Sequence, residues 1–196
     1  KQDTAFSKNT YYRFLNESGY NWKRFLTLLA VRVTNYFNSL TKPDRVISLV
    51  LDDSVIPRER SKKVELLSRV YDHVKGRTVK GFNMLTLGWT DNYSFVPVAF
   101  NMMASADEKN RLVPASASVD KRKSGYKNRR DAVQRKPEAA VKMIHDALAA
   151  GIQAAYVLMD TWFTNEPFIK KVLDEGIDVI GMLKDNKQRY YYKGRL

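Results

Sequence analysis

The spacing of hydrophobic positions changes along the chain, and each change announces a different kind of element. Trp22, Phe25, Leu26, Leu29, Val33, Tyr36 and Phe37 recur at three-and-four spacing. This predicts an amphipathic helix capped by Asn21, with Pro43 beyond its end. The earlier aromatics Phe6, Tyr11, Tyr12 and Phe14 are expected to pack a shorter helix beside it, the alternative being a flat surface on which bases stack.

From Arg45 the period shortens to that of strands. Val46-Ile47-Ser48-Leu49-Val50-Leu51 is an apolar run that stops on Asp52, Asp53 and Ser54. Phe82 to Trp89 and Tyr93 to Met103 read as an antiparallel hairpin turned at Thr90-Asp91-Asn92, with the run at 46–53 as its third member. Pro97 calls for an edge position or a bulge there. The connection from Ser54 to Lys80 is rich in Arg and Lys and has some helical spacing at Val64, Leu67, Val70, Tyr71 and Val74; its length suits a functional loop.

The apolar pattern collapses from Ala104 to Arg135, where the stretch Lys121 to Arg130 carries six positive charges. A solvated loop and a phosphate-contacting segment both fit that composition. Order returns with Pro137, Ala140, Val141, Ile144 and Leu148 on one helix face and Gly151 as its stop. A strand over 152–160 then ends on Asp160, followed by a helix opened by Thr164 or Asn165 and stopped by Gly176. A further strand, Ile177 to Leu183, is expected to run parallel to the one before it. Asp185 to Arg189 reads as a turn, and the Tyr- and Lys-rich end as one more strand.

Composition narrows the function. At 196 residues and 44% hydrophobic content the chain can build a real core. Its 34 Lys and Arg against 21 Asp and Glu leave a net charge of +13, which favours a polyanionic partner. With no cysteine there is no disulfide, no thiolate zinc site and no Cys nucleophile, so any metal must rest on carboxylates and the two His. His73 and His145 have no zinc spacing and read as boundary residues. A reducing, cytoplasmic compartment fits, and no stretch reaches the ~18 apolar residues of a membrane span. The start on Lys1 suggests a piece of something longer.

Two strands that each deliver an acid at their end can bring metal-binding oxygens together from distant parts of a sequence. The element order is that of an RNase H-like fold: three antiparallel strands, a helix, then a parallel strand beside the first, with further α/β units. That order places Asp52 and Asp160 at one sheet edge, within reach of Mg²⁺ or Mn²⁺, hard ions that prefer oxygen. Alone, an Asp at a strand end is more often a turn former or helix cap.

The segments Leu49-Val50-Leu51-Asp52-Asp53-Ser54 and Tyr156-Val157-Leu158-Met159-Asp160-Thr161-Trp162-Phe163-Thr164 resemble the first and second acidic motifs of DDE transposases of bacterial insertion sequences. Within these, the likeness is to the family whose third motif is a Tyr-Arg-Glu-Lys helix. The resemblance implies metal-dependent phosphodiester cleavage and strand transfer on double-stranded DNA, self-association on that DNA, and a bacterial, nucleoid-associated location. It selects Asp160 and, through Ser54, Asp52 as metal ligands; a register in which the hydroxyl follows directly gives Asp53 instead. It also allows Trp162 to stack on a displaced base. Lys62, Lys63, Lys121, Arg122, Lys123, Arg129 and Arg130 are the candidate phosphate contacts. Past Glu175 there is no Glu, so the third acid is expected after Leu196. These expectations divide the chain into a helical lead-in over 1–43 and a catalytic domain over 44–196 with a basic insertion at about 104–135. The competing readings are a nuclease or resolvase of the same fold and a non-catalytic, DNA-binding transposase remnant.

Overall fold

The computed structural model describes residues 6–42 and 44–185. Pro43 and the turn and strand expected beyond 185 lie outside them. Two helices come first, α1 (Lys8–Asn16) and α2 (Trp22–Leu40). Asn21 caps α2 as expected, its side chain accepting from the Arg24 amide. Rings rather than buried aliphatics join the two helices: Phe14 meets Trp22 edge-on at 5.3 Å and lies 5.1 Å from Tyr20. Helix α2 lies on the sheet through Ala30 and Thr34, each 1% exposed, and through Thr27 Oγ1, which donates to the Val98 carbonyl.

Six strands form one mixed sheet: β1 (Ser48–Pro57), β2 (Ser68–Asp72), β3 (Arg77–Thr90), β4 (Phe95–Met103), β5 (Tyr156–Met159) and β6 (Asp178–Gly181). Between β4 and β5 stand α3 (Ser124–Ala132) and α4 (Lys136–Ala149), and α5 (Glu166–Leu173) joins β5 to β6. β1 runs antiparallel to β3 and parallel to β5, β5 runs parallel to β6, and β4 pairs with β3. This is the RNase H-like order expected from the sequence. The β3–β4 turn is held by Asp91, whose Oδ1 accepts from the Tyr93 and Ser94 amides and whose other oxygen is paired with Arg45. Pro97 sits at a shift of register opposite Gly88, so the expected bulge is present.

Three stretches depart from the sequence reading. β1 does not stop at its acids but continues to Pro57, because the 14-residue β3 offers it ladder partners as far as Gly81. The connection after it holds a strand rather than helical turns: β2 pairs with Arg77–Gly81, with Ser68, Val70 and Asp72 turned inward. The basic decapeptide enters α3 from Ser124 onward, its first three cations preceding the helix. The helix has no apolar stripe, and its inward residues are Gly125 and Ala132. Polar contacts hold it in place: the Gly125 amide donates to the Ser18 carbonyl, and Arg129 grips Glu65 through Nε at 2.5 Å and Nη2 at 3.1 Å.

The main core lies on one face of the sheet. Leu49 and Leu51 of β1, Leu85, Leu87 and Trp89 of β3 and Val157 and Met159 of β5 pack there against Ala140, Met143 and Ile144 of α4 and Phe168 and Val172 of α5. Alternation along β1 therefore turns Asp53 toward the helices, with Leu49 and Leu51, and Asp52 and Ser54 toward the opposite face.

Two outcomes test this framework. A Cβ at Gly81 would stand 2.3 Å from the Ile56 carbonyl oxygen, backbone that cannot step aside. Gly81→Ala is expected to cost about 1–3 kcal/mol in urea unfolding. Arg129 holds the Glu65 carboxyl below its usual range, chiefly by hydrogen bonding. The stability Glu65 contributes is thus complete above the ordinary Glu value of about 4.3 and is lost as pH falls through its lower folded value. Glu65→Gln should lower stability by about 0.5–1 kcal/mol at pH 7, solvent screening included, and the gap from wild type should close at acid pH.

Candidate metal and nucleic-acid site

The site forms where the two ladders of β1 stop matching. Pairing with β5 ends at Leu51 and Met159, whereas pairing with β3 runs on to Pro57. Asp52 and Asp53 therefore follow the last paired residue of one strand, and Asp160 follows that of its neighbour, on strands about 4.8 Å apart.

The three acids are used differently. Asp160 opens the turn into α5: its Oδ1 accepts from the Trp162 amide at 3.0 Å and the Phe163 amide at 3.3 Å, and its carbonyl accepts from Thr164 Oγ1 at 2.7 Å. The turn-former reading of this Asp thus holds alongside any chemical role. Phe163, fully buried, anchors the turn beneath and leaves Trp162 outside it, 45% exposed. Asp53 is half-buried, and its Oδ2 accepts from Lys136 Nζ at 2.6 Å; both side chains are less than one-fifth exposed. Lys136 Nζ also lies 4.4 Å from the centroid of the Trp162 ring. Asp53, Lys136, Trp162 and Asp160 thus form one continuous chain of contacts. Asp52 stands outside it, exposed on the other face, and among the described residues its carboxylate has one hydrogen-bond partner, Ser54 Oγ at 3.5 Å.

The sequence named Asp160 and, only as the alternative to Asp52, Asp53; it did not name Lys136, which reads there as a cation beside the helix-starting Pro137. Oxygen donors suit a hard divalent ion, and the ammonium on Asp53 is itself a cation drawn to that position. Among the described residues no three His, Asp or Glu side chains cluster as a metal site. His145 bonds to Glu175 and His73 lies edge-on to Tyr71, both away from the acids.

Beside Lys136 a cleft of about 400 Å³ opens, lined by Arg69, Asn83, Ser105, Arg135 and Trp162. The candidate phosphate contacts are dispersed around the molecule. Lys62 and Lys63 are exposed on the loop between β1 and β2, and they and Lys121 have no ion pair among the described residues. Arg122 bonds to Asp120, Lys123 to Glu17 and Arg130 to Asp131, all at the surface. Arg129 is committed to Glu65 and to the Gly125 carbonyl, which makes it a fastener of α3 rather than a free cation.

Among curated protein sequences none matches this chain significantly. Solved structures resemble it distantly. A piggyBac transposase synaptic complex with hairpin DNA aligns at 15% identity and TM-score 0.40 over 72% of this chain and 24% of that one. A Drosophila P element transposase strand transfer complex aligns at 9% identity and TM-score 0.39 over 91% and 34%. The chain thus spans about a quarter to a third of the length of either. A family model matches nearly its whole length, residues 3–194: the chain belongs to the DDE superfamily of endonucleases.

Proposed function

We propose that this chain is the catalytic core of a DNA transposase that cleaves and joins phosphodiester bonds of double-stranded DNA. In this reading Asp53 and Asp160 hold Mg²⁺ or Mn²⁺. The observation that carries it is the contact chain from Asp53 through Lys136 and Trp162 to Asp160, which links acids from distant parts of the sequence at one end of the sheet. Asp53 takes the first position in this reading through its contact with Lys136; Asp52, which follows Leu51 as Asp160 follows Met159 in the β1–β5 register, is the alternative. The resemblance to insertion-sequence transposases implies a third carboxylate, which would add to the oxygen donors.

Divalent ions held there would supply a nucleophilic oxygen at neutral pH and charge stabilisation for the leaving oxygen. The chain's own part is to fix the acids. β3 holds the Asp53 backbone through its ladder, and two amides hold Asp160 Oδ1 while Oδ2 has no partner among the described residues. Phosphates are gripped by exposed Lys62, Lys63 and Lys121, which position the duplex without reading its sequence. Arg122, Lys123 and Arg130 can turn from their surface partners to phosphate at small cost.

In the full-length protein, Asp160→Asn and Asp53→Asn are each expected to lower Mg²⁺-dependent cleavage on the order of a hundredfold or more, with folding and DNA binding intact. Asp52→Asn should stay within roughly threefold of wild type. Loss of cleavage on Asp52→Asn alone would transfer the first position to Asp52, and full activity of Asp160→Asn would sink the assignment. Duplex binding should weaken steeply with salt, and replacing Lys62 and Lys63 together by Ala should reduce the slope of log K against log salt by about 2. A slope unchanged by that double substitution removes these lysines from the DNA contact.

A further inference from the structure

Lys136 adds nothing to the hydrophobic core, yet its charged end is withdrawn from solvent between a carboxylate and an indole ring. We propose that Lys136 is a resident cation of the acidic centre: its ammonium stands at Asp53 where a divalent ion binds, and a DNA phosphate entering the adjoining cleft draws it away. This rests on the reading of Asp53 and Asp160 as the metal-binding pair.

Three observations support the exchange. The ammonium is 2.6 Å from Asp53 Oδ2, so a divalent ion on that oxygen would meet a positive charge a few ångströms away. Coulomb repulsion at that separation penalises holding both. The ammonium also has somewhere to go. Lys136 lines the cleft together with Arg69 and Arg135, and none of the described residues lining it is acidic, so its field attracts phosphate. Finally, the mobile part is a flexible four-carbon stem, while α4 stays anchored by Ala139 and Ala140 in the core; the charge can swing without moving the helix. Because Lys136 opposes metal when it sits on Asp53 and favours phosphate when it turns away, each ligand assists the other, and linkage makes the effect reciprocal.

The test measures Mn²⁺ affinity from the free-ion electron paramagnetic resonance signal, with and without a short DNA duplex. The Asp53→Asn, Asp160→Asn double variant serves as the blank for ions held by the DNA. In the wild type the duplex should tighten Mn²⁺ binding by roughly tenfold. Lys136→Met keeps the stem against Trp162 and removes the charge. It should bind Mn²⁺ about tenfold more tightly without DNA and gain little more from the duplex. Lys136→Arg should retain the coupling. A residue that only braced the fold would give the opposite sign, with weaker metal binding after substitution. Unchanged or weaker Mn²⁺ binding by Lys136→Met overturns the exchange while leaving the metal site standing. Wild type that binds no more Mn²⁺ than the blank overturns the site itself, and this inference with it. Should Lys136→Met fail to fold, wild-type affinity indifferent to the duplex is the overturning result.

Discussion

The inequality of the two ladders on β1 is the constraint from which the rest of the site follows. On one side β3 pairs with all ten residues from Ser48 to Pro57, and on the other β5 pairs with only four. Had the ladders been equal, Asp52 and Asp53 would have been enclosed between neighbours, where unpaired carboxylates are costly. Had β1 ended with β5, the acids would have sat on a frayed end. The mismatch gives them a backbone fixed from one side and an open flank on the other. Asp160 emerges into the same opening, and α4 brings Lys136 to it.

The net charge of +13 is not spread evenly over this frame. Several cations are occupied internally, most clearly Arg129 on Glu65, which ties α3 to the loop before β2, and Arg45 on Asp91, which closes the β3–β4 turn. Lys23 is another case: burial lowers its pKa, and its ammonium donates to Asn101 to seat α2 on β4. Basic composition therefore serves assembly in one part of the molecule and leaves charge exposed at the surface in another.

Much of the frame was legible because its strands are apolar runs bounded by strong turn signals. Thr90-Asp91-Asn92 marked the hairpin, and the stops at Gly151 and Gly176 bracketed the strand-helix-strand unit; both glycines adopt positive φ, at 100° and 78°. β2 was hidden because Val64, Leu67, Val70, Tyr71 and Val74 satisfy a helical template equally well, while two of its three inward residues, Ser68 and Asp72, are polar. α3 was hidden because glycine and alanine face inward and its attachments are long-range. Which of Asp52 and Asp53 faces the helices was obscured for a related reason. Leu49, Val50 and Leu51 are all apolar, so the run does not reveal which alternation faces the helices; the burial of Leu49 and Leu51 does. Lys136 has no signal in the sequence, since its importance lies wholly in what tertiary folding sets against it.

Asp160 secures its turn with one carboxylate oxygen, and the reading proposed above gives the other to a metal ion. One oxygen secures the turn through two amides, and asparagine's side-chain carbonyl could do the same with little change of shape. A lineage descending from such an endonuclease could therefore give up cutting in a single nucleotide change while keeping its sheet, its turn and its basic surface. On that reading, a descendant that has lost cleavage but kept its fold lies one substitution away, at residue 160.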